Sequence, residues 1–317
     1  MTELVLTVGI LQLLIPLVLL FWQWRQDAPG MVRWLAKTAL ASGYFILIAI
    51  AVPWLLLPVV LPYLFLGASV LLGIRGFRRR RHLPLQRAAR PRDNIEVGFT
   101  ALLALLVWST ALYALSGWRM PATGTAHLAF PLRDGVYYIA NGGSTVLSNA
   151  HLKTLDGDRF RAYRGQSFGV DIVQVNRYGL RANGILPADP SNYVIFGTPV
   201  YAPCAGKVVA IDNMRNDLSP PQMDKTTLAG NHVILDCGEH IVLLAHFKRG
   251  SVQVAVGQHV EVGRLLAMAG NSGNSGEPHL HIHAQRRGSH PAALDGDPLW
   301  PVFDDGQFLA RNRILVR

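Results

Sequence analysis

Three stretches of this chain contain no Asp, Glu, Lys or Arg: Leu4–Trp24, Thr38–Ile74 and Val97–Trp118. A run of 18 or more apolar residues is long enough to cross the hydrocarbon core of a bilayer as a helix, so no other feature restricts the fold as strongly. The middle run would extend about 55 Å as one helix, against a core of about 30 Å. It is expected to fold back on itself at Pro53, Pro58 and Pro62, because proline ends one helix and opens the next at little cost. The expectation for residues 1–118 is therefore an all-α membrane region of four transmembrane helices, near 4–24, 36–56, 58–75 and 96–117.

The loops set the orientation. Arg25, Arg33 and Lys37 fall between the first and second spans, and Arg75, Arg78, Arg79, Arg80, Arg81, Arg87, Arg90 and Arg92 between the third and fourth. The proline turn carries no Lys or Arg. Positive loops stay in the cytoplasm, so the chain from about residue 119 is expected outside it, in the periplasm or another extracytoplasmic space, tethered to the cytoplasmic (inner) membrane. Much of the formal net charge of +10 sits between Arg75 and Asp93. That charge reads as a topology signal with some attraction for anionic lipid, which removes the argument for nucleic-acid binding. The first span has no basic segment before it and no small-residue cleavage site after it, so it reads as an anchor in the lipid bilayer rather than a removable signal. A membrane-protein partner is left open.

The remainder has an ordinary globular composition. Residues 119–164 are rich in turn formers, including Asn141-Gly-Gly143 and Asp156-Gly157, and read as a lead-in of irregular strands and loops. From Phe168 onward short apolar or alternating runs recur between Gly, Pro and Asn. The candidate strands are Val170–Val175, Thr198–Ala202, Gly206–Asp212, His232–Asp236, Ile241–His246, His259–Val262, Leu265–Ala269 and His279–Ala284. Their spacing is that of an all-β sandwich or barrel. Cys204 and Cys237 both lie in this part; an oxidising compartment permits a disulfide, and two separately buried thiols are the alternative.

One strand carries chemistry. After the Gly/Ser-rich turn from Gly270, His279, His281 and His283 alternate with Leu280 and Ile282. Period-two alternation puts three imidazoles on one face and two apolar anchors on the other. Imidazole is the commonest metal ligand and a general base near neutral pH.

With that strand, four further motifs fall in a known order: Ser-Phe-Gly-Val-Asp171; Gly197-Thr-Pro-Val-Tyr-Ala-Pro; Gly230-Asn-His-Val; and Leu244-Ala-His246. Together they resemble the lysostaphin/LytM-type zinc metallopeptidases, cell-wall endopeptidases of the duplicated hybrid motif fold, over about residues 165–290, with 291–317 as a C-terminal extension. The resemblance implies Zn2+ held by Asp171 and His281, with His246 and His279 as catalytic histidines and peptidoglycan peptides as substrate. His283 is expected to support the site from behind rather than ligate.

Ser167 stands where the family has its first metal-binding histidine, and a hydroxyl is a poor zinc ligand. His151, in Asn149-Ala-His151, is the expected replacement. Water completing a weaker site, or a degenerate module that binds cell wall or regulates another hydrolase, are the alternatives. A carrier domain sharing the same barrel explains neither the three histidines nor the absence of a modifiable lysine in a tight hairpin.

Overall fold

The computed structural model describes residues 6–25, 30–82, 91–122, 124–286 and 294–317. Arg87, Arg90 and His290 lie outside these. The chain divides into two compact units, Met1–Val52 with Val59–Leu115, and Pro53–Pro58 with Ser116–Arg317.

The first unit is helical: α1 (Leu6–Trp24, with a π-helical stretch Gly9–Leu14), α2 (Met31–Ile50), α3 (Leu61–Arg80) and α4 (Pro91–Ser116). Among the described residues three segments are long and apolar enough to cross a membrane: α1, α2 and Asp93–Ser116 of α4. The third expected span is the exception. Residues 51–60 form the turn, so the charge-free part of α3 runs only from Leu61 to Ile74, about 21 Å at 1.5 Å per residue and short of a 30 Å core. Pro62 sits in the first turn of α3, where its missing N–H costs nothing. Within the unit α2 packs closely on α4. A side chain at Gly43 would meet the Trp108 ring at 2.8 Å, Trp108 Nε1 donates to the Ala39 carbonyl at 2.9 Å, and Glu96 pairs with Arg33 and with Lys37 at 3.1 Å.

Among the described residues the second unit holds thirteen strands: β1 (Thr125–Leu128), β2 (Val136–Asn141), β3 (Val170–Val175), β4 (Pro199–Tyr201), β5 (Gly206–Asp212), β6 (His232–Asp236), β7 (Ile241–Ala245), β8 (His259–Val260), β9 (Leu265–Met268), β10 (Leu280–Gln285), β11 (Pro298–Phe303), β12 (Gln307–Phe308) and β13 (Ile314–Val316). The long sheet runs β13-β2-β3-β10-β7-β6-β5-β8, with β11 joining β10 to β1 and β12, and β4 pairs with β9 separately. The apolar faces of both sheets share one core, in which Ile172, Val200, Leu244, Leu266, Leu280 and Ile282 are buried. At about 25 cal/mol per Å2 this burial is the main term holding the unit together.

All eight expected strands are present. The irregular strands expected in 119–164 are β1 and β2, whose bounds the sequence did not mark, and the strands after 291 were not expected, because β2 is buried along Tyr137–Ala140 and β11 along Leu299–Phe303. A strand covered on both faces shows no alternation. Cys204 and Cys237 are joined in a disulfide with Cα atoms 6.0 Å apart, which ties the end of β6 to the turn before β5. Trp54, on the connection between α2 and α3, is buried in this unit and donates its amide to Tyr138 Oη at 2.8 Å.

Candidate metal centre

The site is made by three neighbouring strands. β10 pairs antiparallel with β3 in the register His281↔Asp171 and with β7 in the register His281↔Ala245. Opposed residues of an antiparallel pair project to the same face, so Asp171 and His281 stand side by side, and His246 follows one position beyond β7. His279 precedes β10 at the same end.

Asp171 Oδ1 lies 2.8 Å from His281 Nδ1 and 3.6 Å from His279 Nε2. Its Oδ2 lies 3.0 Å from His151 Nε2 and accepts from Asn141 Nδ2 at 2.8 Å. His151 arrives on the 3-10 turn Ala150–Thr154, which Asn149 caps by accepting the His151 amide at 3.0 Å while its Nδ2 donates to the Gly169 carbonyl at 3.0 Å. Ring contacts close the cluster, His151 to His281 at 4.8 Å and His246 to His279 at 4.7 Å between centroids. His151, Asp171, His246, Asn274, His279 and His281 line one cavity of about 250 Å3. Sequence reasoning missed the role of Asn141, which it read only as a turn former and which ends β2 beside Asp171.

Ser167 is elsewhere. It is fully buried, donates to the Arg164 carbonyl at 2.7 Å and lies 2.9 Å from Thr154 Oγ1, which itself donates to the His151 carbonyl at 2.8 Å. The residue at the family's histidine position thus buttresses the turn that carries His151.

Hydrogen bonds fix the tautomers. His246 Nδ1 donates to the Ser272 carbonyl and His279 Nδ1 to the Glu277 carbonyl, both at 2.8 Å. A carbonyl only accepts, so Nδ1 is the protonated nitrogen of each ring, and in the neutral form Nε2 carries the lone pair. His246 holds φ 65°, a left-handed conformation that costs about 1–3 kcal/mol in a non-glycine residue and collects at functional sites. His283 is buried with its Nδ1 3.0 Å from His281 Nε2, the place from which a neighbour orients a ligating imidazole.

Electrostatics follow from burial and from one carboxylate. Burial opposes ionisation of Asp171, but the charges of His151 and His279 and the hydrogen bonds of His151 and His281 outweigh it and hold the carboxyl well below its usual range. Burial disfavours the His151 cation, yet Asp171 raises its pKa above the ordinary imidazole value. Burial pushes His246 well down, and His281 down.

The donor set suits a borderline-soft divalent ion. Ligand atoms of His151, Asp171 and His281 all lie within 4.8 Å of one another. Bonds of about 2.0–2.2 Å to a shared tetrahedral centre place ligand atoms about 3.4 Å apart, so metal binding would draw the widest pair together by up to about 1.4 Å. Two imidazoles and one carboxylate, with room left in the cavity, are the donors of a zinc centre that keeps a position for substrate.

Among curated proteins none matches the chain. Residues 193–293 match the model of peptidase family M23, a span that includes His246, His279 and His281 and stops short of Asp171 and His151. Solved structures with similar folds include the catalytic domain of the antimicrobial peptidase lysostaphin from Staphylococcus simulans, 23% identical over 40% of this chain and 73% of that one, TM-score 0.26. A putative peptidase M23 from Pseudomonas aeruginosa is 21% identical over 58% of this chain and 54% of that one, TM-score 0.27. The catalytic domain of the prophage-encoded M23 protein EnpA from Enterococcus faecalis is 14% identical over 55% and 89%, TM-score 0.27. The segment that carries His246, His279 and His281 thus matches the model of peptidase family M23, and it follows in sequence a helical region with three candidate membrane spans among the described residues.

Proposed function

We propose that this chain is a membrane-anchored zinc metalloendopeptidase that hydrolyses peptide bonds, in peptidoglycan cross-links, from the extracytoplasmic face of the cytoplasmic membrane. The observation that carries the reading is the convergence of His151, Asp171 and His281 with His246 and His279 on one cavity. His151, Asp171 and His281 would hold the ion. Zinc bound there would polarise the scissile carbonyl and lower the pKa of a water toward about 7.

The chain's own groups supply the proton chemistry. With both Nδ1 atoms committed to carbonyls, the neutral forms of His246 and His279 would present Nε2 to the cavity as proton acceptors. That is what removing a proton from the attacking water, and returning it to the leaving amine, requires. Burial keeps His246 neutral at pH 7. The disulfide supports the compartment, since such bonds persist where the environment is oxidising. The basic loops support the orientation.

One observation favours a second reading, a non-catalytic module that binds cell wall or regulates another hydrolase: Ser167 offers no imidazole, and its hydroxyl is turned to Arg164. Purified full-length protein in detergent decides between them. The enzyme reading expects one zinc per chain by elemental analysis, loss of that zinc in His281→Ala, and release of soluble fragments from purified peptidoglycan. Sedimentation with peptidoglycan, without zinc and without cleavage, would establish the binding module instead.

A further inference from the structure

The long connection between β3 and β4 sends one cation into the wall of the site. Arg181 is 4% exposed and meets Glu277 as a fork, with Nε 2.8 and 3.0 Å from the two carboxylate oxygens and Nη2 2.8 Å from Oε2. Its Nη2 also donates to the Ile185 carbonyl at 3.3 Å, and the guanidinium stands 5.3 Å over the Tyr193 ring. Removing two charges from water costs several kcal/mol per ion, and apolar residues of the same volume often serve stability as well or better. Stability is therefore a weak reason for this pair.

Glu277 has a second connection. Its backbone carbonyl accepts the His279 Nδ1 proton at 2.8 Å and the Ser275 hydroxyl at 2.8 Å. The group that sets the His279 tautomer is thus the main chain of the residue whose side chain Arg181 grips. Pro278 follows directly and confines the Glu277 backbone to extended conformations, so the side chain that Arg181 grips and the carbonyl that His279 uses belong to one stiff residue.

We propose that Arg181 is a positioning residue for His279: by fixing Glu277 it fixes the carbonyl that keeps His279 in the Nδ1–H form with Nε2 turned toward Asp171, and it holds the Glu277 carboxylate out of the cavity. The inference rests on His279 acting as the proton acceptor, but its central claim concerns geometry that exists without turnover.

The test uses the full chain in detergent micelles, 15N-labelled at histidine, with His279 assigned from the His279→Gln spectrum. Long-range 15N–1H correlation reads the tautomer directly. Arg181→Lys keeps the charge but not the planar fork, and Glu277→Gln keeps the backbone acceptor but weakens the grip. Both should move His279 from a single Nδ1–H form to a mixture, with zinc content unchanged, and should lower kcat on purified peptidoglycan about 10- to 100-fold with little change in KM. A structural role alone would lower the melting temperature and leave the tautomer as in the wild type. Unchanged His279 signals in both folded variants overturn the proposal. If the wild type cleaves nothing while the tautomer still responds, the positioning claim stands and the hydrolase reading falls.

Discussion

Gly169→Ala isolates the role of His281. A Cβ built on Gly169 would lie 2.6 Å from His281 Cε1 and 2.9 Å from the Gln166 carbonyl oxygen. The backbone there is extended, φ −60° and ψ 155°, so alanine meets no torsional penalty and the effect is steric. Carbon atoms pack at about 3.5–4.0 Å, so relief demands about 1 Å of movement, shared between the imidazole and the carbonyl. Coordination tolerates about 0.2 Å, well under even half of that movement. The expected cost is about 1–3 kcal/mol of overpacking and, because a ligand itself is displaced, a loss of zinc affinity at or above the 100-fold that removing a supporting neighbour can cost. That is about 2.7 kcal/mol at 1.36 kcal/mol per tenfold. The assay is competition against a chromophoric chelator with the full-length protein in detergent, and circular dichroism confirms the fold. A folded Gly169→Ala protein holding zinc within threefold of the wild-type affinity would refute the reasoning, since His281 could not then be a ligand at the position described.

Other expectations follow from the same geometry. His151→Ala should lose stoichiometric zinc, whereas Ser167→Ala should keep it with at most a modest loss, because the serine hydroxyl faces Arg164 and Thr154; comparable zinc contents in the two would remove His151 from the ligand set. The raised pKa of His151 means that zinc must displace a proton from its pair with Asp171. Affinity should fall about tenfold per pH unit below that pKa, and the slope should flatten in His151→Ala when chelator competition is run from about pH 8 to about pH 6. In the metal-free protein the same raised pKa makes the pair stabilising at low pH and weaker as pH climbs through it, while the carboxylate of Asp171, held well below its usual range, loses its contribution only in strong acid. Replacing Cys204 and Cys237 by alanine opens a loop of sequence separation 33, which loop-closure entropy values at about 4 kcal/mol; thermal unfolding followed by tryptophan fluorescence should show a drop of about 8–16 °C for a unit of this size, and a shift under about 3 °C would contradict that estimate.

Local pattern is what made much of the molecule readable beforehand. Strand β10 was visible because Leu280 and Ile282 alternate with histidines, and the ends of β3, β5 and β6 fell where Gly, Asp and Asn interrupt apolar runs. The helices were visible because uncharged runs admit few other fates. By itself the sequence determined the presence of membrane-length helices, the all-β character of the rest, and which histidines could share a face, since these depend on spacing along one segment. Tertiary structure decided the rest. The β3–β10–β7 order and its register put Asp171, His281 and His246 together, and the turn at Ala150–Thr154 delivers His151 while Ser167 turns inward behind it. Those outcomes depend on which distant segments pair and which shared volume they fill, and no periodicity within a single segment encodes either.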